Sequence, residues 1–309
     1  MEDRIGFVKD VAELIVAIMT IATAIGISIQ FKLNWVSIIL IIISGILIIA
    51  LIKFLKKFEK IKKETGFHNR QIAECEKTLY YSMENSYKKN EGYETMNHIA
   101  LEGLKKYVSQ VAKVLSIYTN RNITVSIRFF EEKEEVDDSR LKILEFSENC
   151  DSEREYLFKD KEKSIKTIKN NTDFKNIIGE ERTESINYFY ESDLNKLNKK
   201  LLKVSGKGYE NETPNRKEYY NSRIVVPIST KNSNLFYKEE KSGNDIKGFL
   251  CADAKKENTF SNNKIKKYFY LHLMETYASK LYIILNKYTY YLNSISKGVK
   301  HDEKGHRIN

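Results

Sequence analysis

Two apolar runs near the N-terminus constrain this chain more than any other feature. Val11 to Phe31 reads VAELIVAIMTIATAIGISIQF, and Trp35 to Phe54 reads WVSIILIIISGILIIALIKF. Each is about 20 residues, the length with which a helix crosses about 30 Å of hydrocarbon. The second has no charge between Trp35 and Lys53, which argues against a pair of buried core helices. The first lacks a small-residue cleavage site followed by polar sequence, so it does not read as a signal peptide. Only Lys32 to Asn34 separate the runs, which predicts antiparallel neighbours. Arg4 and Lys9 precede the first run, Lys53, Lys56, Lys57, Lys60, Lys62 and Lys63 follow the second, and Lys32 stands alone between them. The positive-inside rule then places both termini in the cytoplasm. The expectation is a two-helix transmembrane hairpin in a bacterial inner membrane, a multi-pass protein with the lipid bilayer as one partner.

Charge is located accordingly. The net charge is +10. Residues 53–70 hold +5 of it and residues 297–309 hold +2, while residues 1–52 are at −1, so the remaining 226 residues carry only +4. A nucleic-acid-binding domain would concentrate basic charge on itself, and no nucleic-acid partner is expected. Lys, Asn, Ile and Tyr dominate a chain with two prolines, the coding bias of an AT-rich bacterial genome. Cys75, Cys150 and Cys251 lie far apart without metal-ligand spacing. No nucleophile–base motif, phosphate loop or metal motif appears. The expectation is therefore no enzyme activity, no metal and no cofactor.

From Leu55 to about Lys89 the chain is charged, with Gly66 as its one interior glycine. Phe58, Thr65, Ile72 and Leu79 fall at seven-residue spacing, with Ile61, His68 and Cys75 beside them. That is either a coiled-coil signalling helix or a plain amphipathic helix lying on its own domain or on the bilayer. Met96, Ile99, Leu104, Val108, Val111 and Leu115 predict a core-facing helix over 95–118. Ile123, Val125, Ile127 and Phe129 alternate with polar residues, as in a half-buried strand. A charged turn follows at 131–138, and Leu141, Ile143 and Glu145 start a second strand. Ile224 to Ser229 and Gly248 to Ala254 read as buried antiparallel strands, and a helix runs from about Asn263 to Leu292. Helix, strand pair, irregular middle, strand pair, helix is an α+β order.

The stretch Tyr219 to Ala254, YYNSRIVVPIS followed by a polar turn and GFLCADA, resembles the last strand pair of GAF domains. Phe260 and the long terminal helix extend the similarity, which covers roughly residues 90–292. NTDFKNII at 171–178 and YFYESDL at 188–194 are similar to the pocket-covering segment of that family. A PAS-like fold with the same sheet plan stays open. The resemblance implies an antiparallel-sheet domain flanked by helices over 92–293, behind a hairpin (1–54) and a juxtamembrane linker helix (55–91), and before a polar tail (294–309). It also implies a ligand pocket between the sheet and residues 150–222, lined by Tyr188, Tyr190, Asp193, Tyr209, Asn211, Tyr220 and Arg223. A guanidinium there would hold a carboxylate or phosphate. Neither the bilin-attaching cysteine nor the phosphodiesterase signature of better-known members is present, and Cys251 reads as a core residue.

The functional expectation is a membrane-anchored GAF-like sensory or regulatory protein. It would bind a cytosolic small molecule or protein partner, with a homodimer as an expected assembly and no catalytic output of its own. The alternatives are a two-span membrane-disrupting effector gated by a cytosolic ligand, of the anti-phage type, or a scaffold without ligand.

Overall fold

The computed structural model describes residues 23, 26, 35–132, 139–159, 166–178, 188–213, 215–229 and 246–296. The chain forms two compact units, Met1–Glu64 and Thr65–Asn309.

The first apolar run lies outside the described residues except for Thr23 and Gly26. The second opens helix α1 (Trp35–Lys88), which runs on for 54 residues. Trp35, Ile39, Ile46 and Leu47 are exposed along it. Among the described residues no helix is long and apolar enough to cross a membrane. This corrects the expected multi-pass inner-membrane placement with both termini cytoplasmic and leaves the two-span hairpin without support, its first arm lying outside the described residues. The run from Trp35 is continuous with a helix whose greater part, Lys53 to Lys88, carries charge at nearly every turn.

In the second unit, residues 65–88 of α1 lie on the domain's own core. Ile72, Leu79 and Met83 are buried with side chains of helices α2 (Tyr93–Thr119) and α7 (Lys264–Ser296). Polar contacts fix the helix pair: Tyr277 donates from its hydroxyl to Asn69 Oδ1 at 2.7 Å, and Lys280 pairs with Glu76 at 3.0 Å. Helix α2 buries Met96, Ala100, Leu104, Val108, Val111 and Leu115, spaced at three and four residues, so one stripe faces inward. It ends at Asn120, which has φ 52° and donates its N–H to the Ser116 carbonyl. That left-handed conformation costs an L-residue with a Cβ about 1–2 kcal/mol, and asparagine tolerates it better than most. Asn120→Ala is therefore expected to lower stability by about 1 kcal/mol, and Asn120→Gly to be close to neutral. Denaturant midpoints of the two variants, side by side, check this.

Among the described residues six strands form one sheet in the order β3-β2-β1-β6-β5-β4, and every pairing is antiparallel. They are β1 (Thr124–Glu132), β2 (Arg140–Phe146), β3 (Lys166–Thr167), β4 (Phe189–Glu191), β5 (Ser222–Ile228) and β6 (Gly248–Ala254). Alternation along the central strands sorts their side chains. Val125, Ile127, Ile224, Val226, Leu250 and Ala252 face α2 and α7. The opposite face is covered by short elements: α3 (Ser152–Lys159), α4 (Thr172–Ile178), α5 (Leu194–Ser205) and α6 (Arg216–Tyr219). A second core of Leu141, Phe174, Ile177, Leu194, Val225 and Phe249 fills that layer. This α+β architecture, an antiparallel sheet between long helices and short covering ones, fits a GAF-like domain.

Candidate functional site

The second layer is not purely apolar. Ser126 and Arg128 on β1, Arg223 on β5, and Cys251 and Asp253 on β6 share its sheet face by alternation, with Arg223 directly opposite Asp253 and Ser126 opposite Cys251. The cover adds Arg154 from α3 and Asp173 from α4. Arg128, Arg154, Arg223, Asp173 and Asp253 are all at most 2% exposed. Burying five ionisable groups is costly unless they pair.

They do pair. Arg154 Nη2 donates to Asp253 Oδ2 at 2.5 Å. Arg223 Nε lies 3.0 Å from Asp173 Oδ2 and 3.4 Å from Asp253 Oδ1, and its Nη1 donates to the Tyr220 hydroxyl at 2.7 Å. Tyr220 donates in turn to Asn211 Oδ1 at 3.0 Å, and Asn211 Nδ2 approaches the Tyr209 hydroxyl at 3.4 Å. Aromatic faces complete the enclosure. The Arg223 guanidinium is 4.8 Å from the centroid of Tyr220 and 5.7 Å from that of Phe174. Arg154 stands 4.9 Å from Tyr220 and 5.2 Å from Phe146. Such contacts add modestly at exposed sites and more where water is excluded.

The two carboxylates differ. Burial pushes Asp253 up, but Arg223, Arg154 and the Arg154 hydrogen bond together outweigh it and hold the group below its ordinary range. At Asp173 burial prevails over Arg223 and the Phe174 N–H, and the carboxyl sits above its ordinary value. Burial also lowers Arg128, helped by the like charges of Arg223 and Arg154, to about 10. Asp253 is thus the firm counter-ion and Asp173 the reluctant one.

A clamp holds the cover in place. Glu212 Oε2 accepts from Thr167 N (2.9 Å) and Asn171 Nδ2 (2.9 Å), and its Oε1 accepts from Thr167 Oγ1 (3.0 Å) and Asn170 Nδ2 (2.9 Å). Partial burial raises this carboxyl, but the donors together bring it below its ordinary 4.5. A depressed folded-state value means the contribution to stability is full above pH 4.5. It is lost as pH falls below that through the lower folded value. Glu212→Gln should cost about 1.5 kcal/mol at neutral pH, and the difference from the natural chain should shrink on acidification. Unfolding curves at neutral and acid pH check both halves.

Of the residues expected to line a pocket, the fold brings Tyr209, Asn211, Tyr220 and Arg223 together. Asp193 instead caps α5, its Oδ1 accepting from Lys196 N at 2.9 Å. Tyr188 and Tyr190 pack against the helix-side core, where Lys267 Nζ stands 5.4 and 5.1 Å from their rings and Tyr190 donates to the Ser261 carbonyl at 2.7 Å. Arg128, Arg154, Asp173 and Asp253 were not anticipated. Two carried a signal: Asp253 is an acid inside the otherwise apolar GFLCADA, and Arg128 interrupts a strand between Ile127 and Phe129. Outside the cluster, a surface hollow lined by Ser152, Glu153, Tyr156, Asn215, Glu218 and Tyr219 lies at α3 and α6. Among the described residues no group of three or more His, Cys, Asp or Glu could hold a metal ion.

No family model matches the chain, and no curated protein matches it. Solved structures do. The free methionine-R-sulfoxide reductase of Neisseria meningitidis, in complex with its substrate, is similar at 9% identity over 72% of this chain and 93% of its own, with a TM-score of 0.35. The GAF domain of an Acinetobacter phosphoenolpyruvate-protein phosphotransferase is similar at 13% identity over 59% and 82%, TM-score 0.33. A far-red cyanobacteriochrome photoreceptor is similar at 13% identity over 61% and 87%, TM-score 0.33. At these values the likeness assigns no reaction and no ligand to this chain. It does correct one expectation. Because methionine-R-sulfoxide reductases, which are enzymes, stand among the similar structures, the exclusion of catalysis drawn from missing motifs does not stand.

Proposed function

We propose that the chain carries a GAF-like sensory domain that binds a small molecule in the layer between the β1–β6–β5 face and helices α3, α4 and α6. One observation carries the reading. Three arginines and two aspartates are buried there among tyrosines, although well-packed apolar residues would serve stability as well or better. A domain that only needed a core would not require such a cluster. A domain that must recognise a polar ligand does, because a few convergent polar groups in an aromatic wall are what such a site consists of. The ligand would enter by displacing cover side chains, and the short helices would report its presence by their position.

Native and denaturing mass spectra of the full chain, recorded side by side, test this. Extra mass held only under native conditions, and lost in Arg223→Met, is the expected result. An apo mass in both, with no thermal shift from sulfate, inorganic phosphate, nucleotides or amino acids, would sink the reading.

A further inference from the structure

We infer that Asp173 is an internal stand-in for the ligand's anionic group: a carboxylate, phosphate or sulfate binds by taking the Asp173 carboxylate's place beside Arg223. This rests on the ligand-binding reading above and gives its site a ligand class.

The geometry distinguishes the two acids of the cluster. Asp253 belongs to a central strand, is hydrogen-bonded to Arg154 at 2.5 Å, and lies opposite Arg223 in the sheet register. It cannot leave without disrupting β6. Asp173 belongs to α4, a seven-residue helix of the cover. Its Oδ2 reaches Arg223 Nε at 3.0 Å, yet neither atom makes an aligned hydrogen bond. Among the described residues its Oδ1 accepts only from the adjacent Phe174 N–H, at 3.0 Å. The contact is thus ionic and badly directed, where a bidentate fork would be the strong arrangement. On the other side of the cluster Arg154 Nε also makes no hydrogen bond among the described residues. The cluster therefore holds guanidinium donors without an aligned acceptor while a poorly aimed carboxylate supplies the charge beside Arg223. An anion with three or four oxygens would serve these donors better.

Displacement has a proton cost that can be measured. Asp173 is faced by Arg223 on β5, Asp253 and Cys251 on β6, Arg128 on β1, and Tyr209 and Tyr220 from the segments before β5. Once an anion neutralises Arg223, burial and the charge of Asp253 favour the protonated form of Asp173, opposed by the Phe174 N–H and the more weakly acting Arg128. One proton is then taken from solvent for each anion bound, so affinity rises as pH falls.

Sulfate is the probe, because its charge does not change over the range used. The full chain is titrated with sulfate at constant ionic strength at about pH 8 and about pH 5.5, alongside Asp173→Asn and Arg223→Gln. The expected result is affinity roughly tenfold tighter at the lower pH for the natural chain. Asp173→Asn should bind at least about tenfold tighter at pH 8, with a flat pH profile, and Arg223→Gln should lose the response. A flat profile in the natural chain overturns the inference whether or not the variant folds. So does a folded Asp173→Asn that binds no tighter, or an Arg223→Gln that responds undiminished. If native spectra retain a small molecule but sulfate never binds, the inference falls and the binding reading stands. If neither is seen, both fall.

Discussion

Arg223→Met is expected to destabilise the second unit by about 3–5 kcal/mol, the usual consequence of removing one partner from a buried ion pair. The side chain is 1% exposed and serves both carboxylates as well as the Tyr220 hydroxyl. Methionine fills much of the volume, so packing loss is the smaller part. The greater part is that Asp173 is left buried without its cation and Tyr220 without a donor, while Asp253 keeps only its pairing with Arg154. Asp173 would then protonate, so the loss should be larger at alkaline than at mildly acid pH. Pairing the substitution with Asp173→Leu should recover a good part of it, because replacing an ion pair by apolar groups is often neutral where breaking it is not. Denaturant unfolding of the single and double variants decides the matter. A loss below about 1 kcal/mol for Arg223→Met, or no recovery in the double variant, would mean that the cluster is not energetically coupled.

How much of this was legible beforehand depended on periodicity. The stripe from Met96 to Leu115 and the two runs IVVPIS and GFLCADA place α2, β5 and β6 within two residues of where they lie, and the alternation from Ile123 to Phe129 places β1 within three, since the strand runs on to Glu132. These are the elements whose one face is buried in a continuous core. Strands β3 and β4 have two and three residues, too short to show a period, and α3, α4 and α6 have eight, seven and four, too few turns to show an apolar stripe. The site was half legible for the same reason. Tyr220 and Arg223 sit next to a recognisable strand. Arg128 was hidden by the very alternation that revealed β1, because a polar residue on the second face of a strand reads as solvated. Here both sheet faces are covered, and the polar side of β1 looks into a second core. The second apolar run reads as a spanning segment from composition over 20 residues, and that composition did not show that the helix runs on to Lys88.

Gly248→Ala is expected to be the most damaging single-methyl change in the sheet. Gly248 opens β6 opposite Phe129, and a Cβ there would lie 1.9 Å from the Arg128 carbonyl oxygen, 2.9 Å from its carbon and 3.0 Å from Phe129 Cα. All three are backbone atoms of β1, so no rotamer change relieves the clash. Overpacking that side chains can absorb costs about 1–3 kcal/mol. Here the β1–β6 ladder itself must open, and a loss at or above the upper end, about 3 kcal/mol, is expected. Gly206→Ala is the internal comparison. Gly206 has φ 71° at the end of α5 but open space where a Cβ would stand, so only the left-handed conformation is penalised, by about 1 kcal/mol. Hydrogen exchange should show the difference in kind as well as in size: Gly248→Ala would speed exchange along β1 and β6 together, and Gly206→Ala only at the end of α5. The glycine that begins GFLCADA is thus set by the close approach of two central strands. Forcing them apart would also shift the Arg128 side chain within the ion cluster, so the variant should weaken anion binding in step with stability. Equal losses from the two glycine variants would show that β1 yields at this point, and that the register beneath the cluster is softer than its geometry implies.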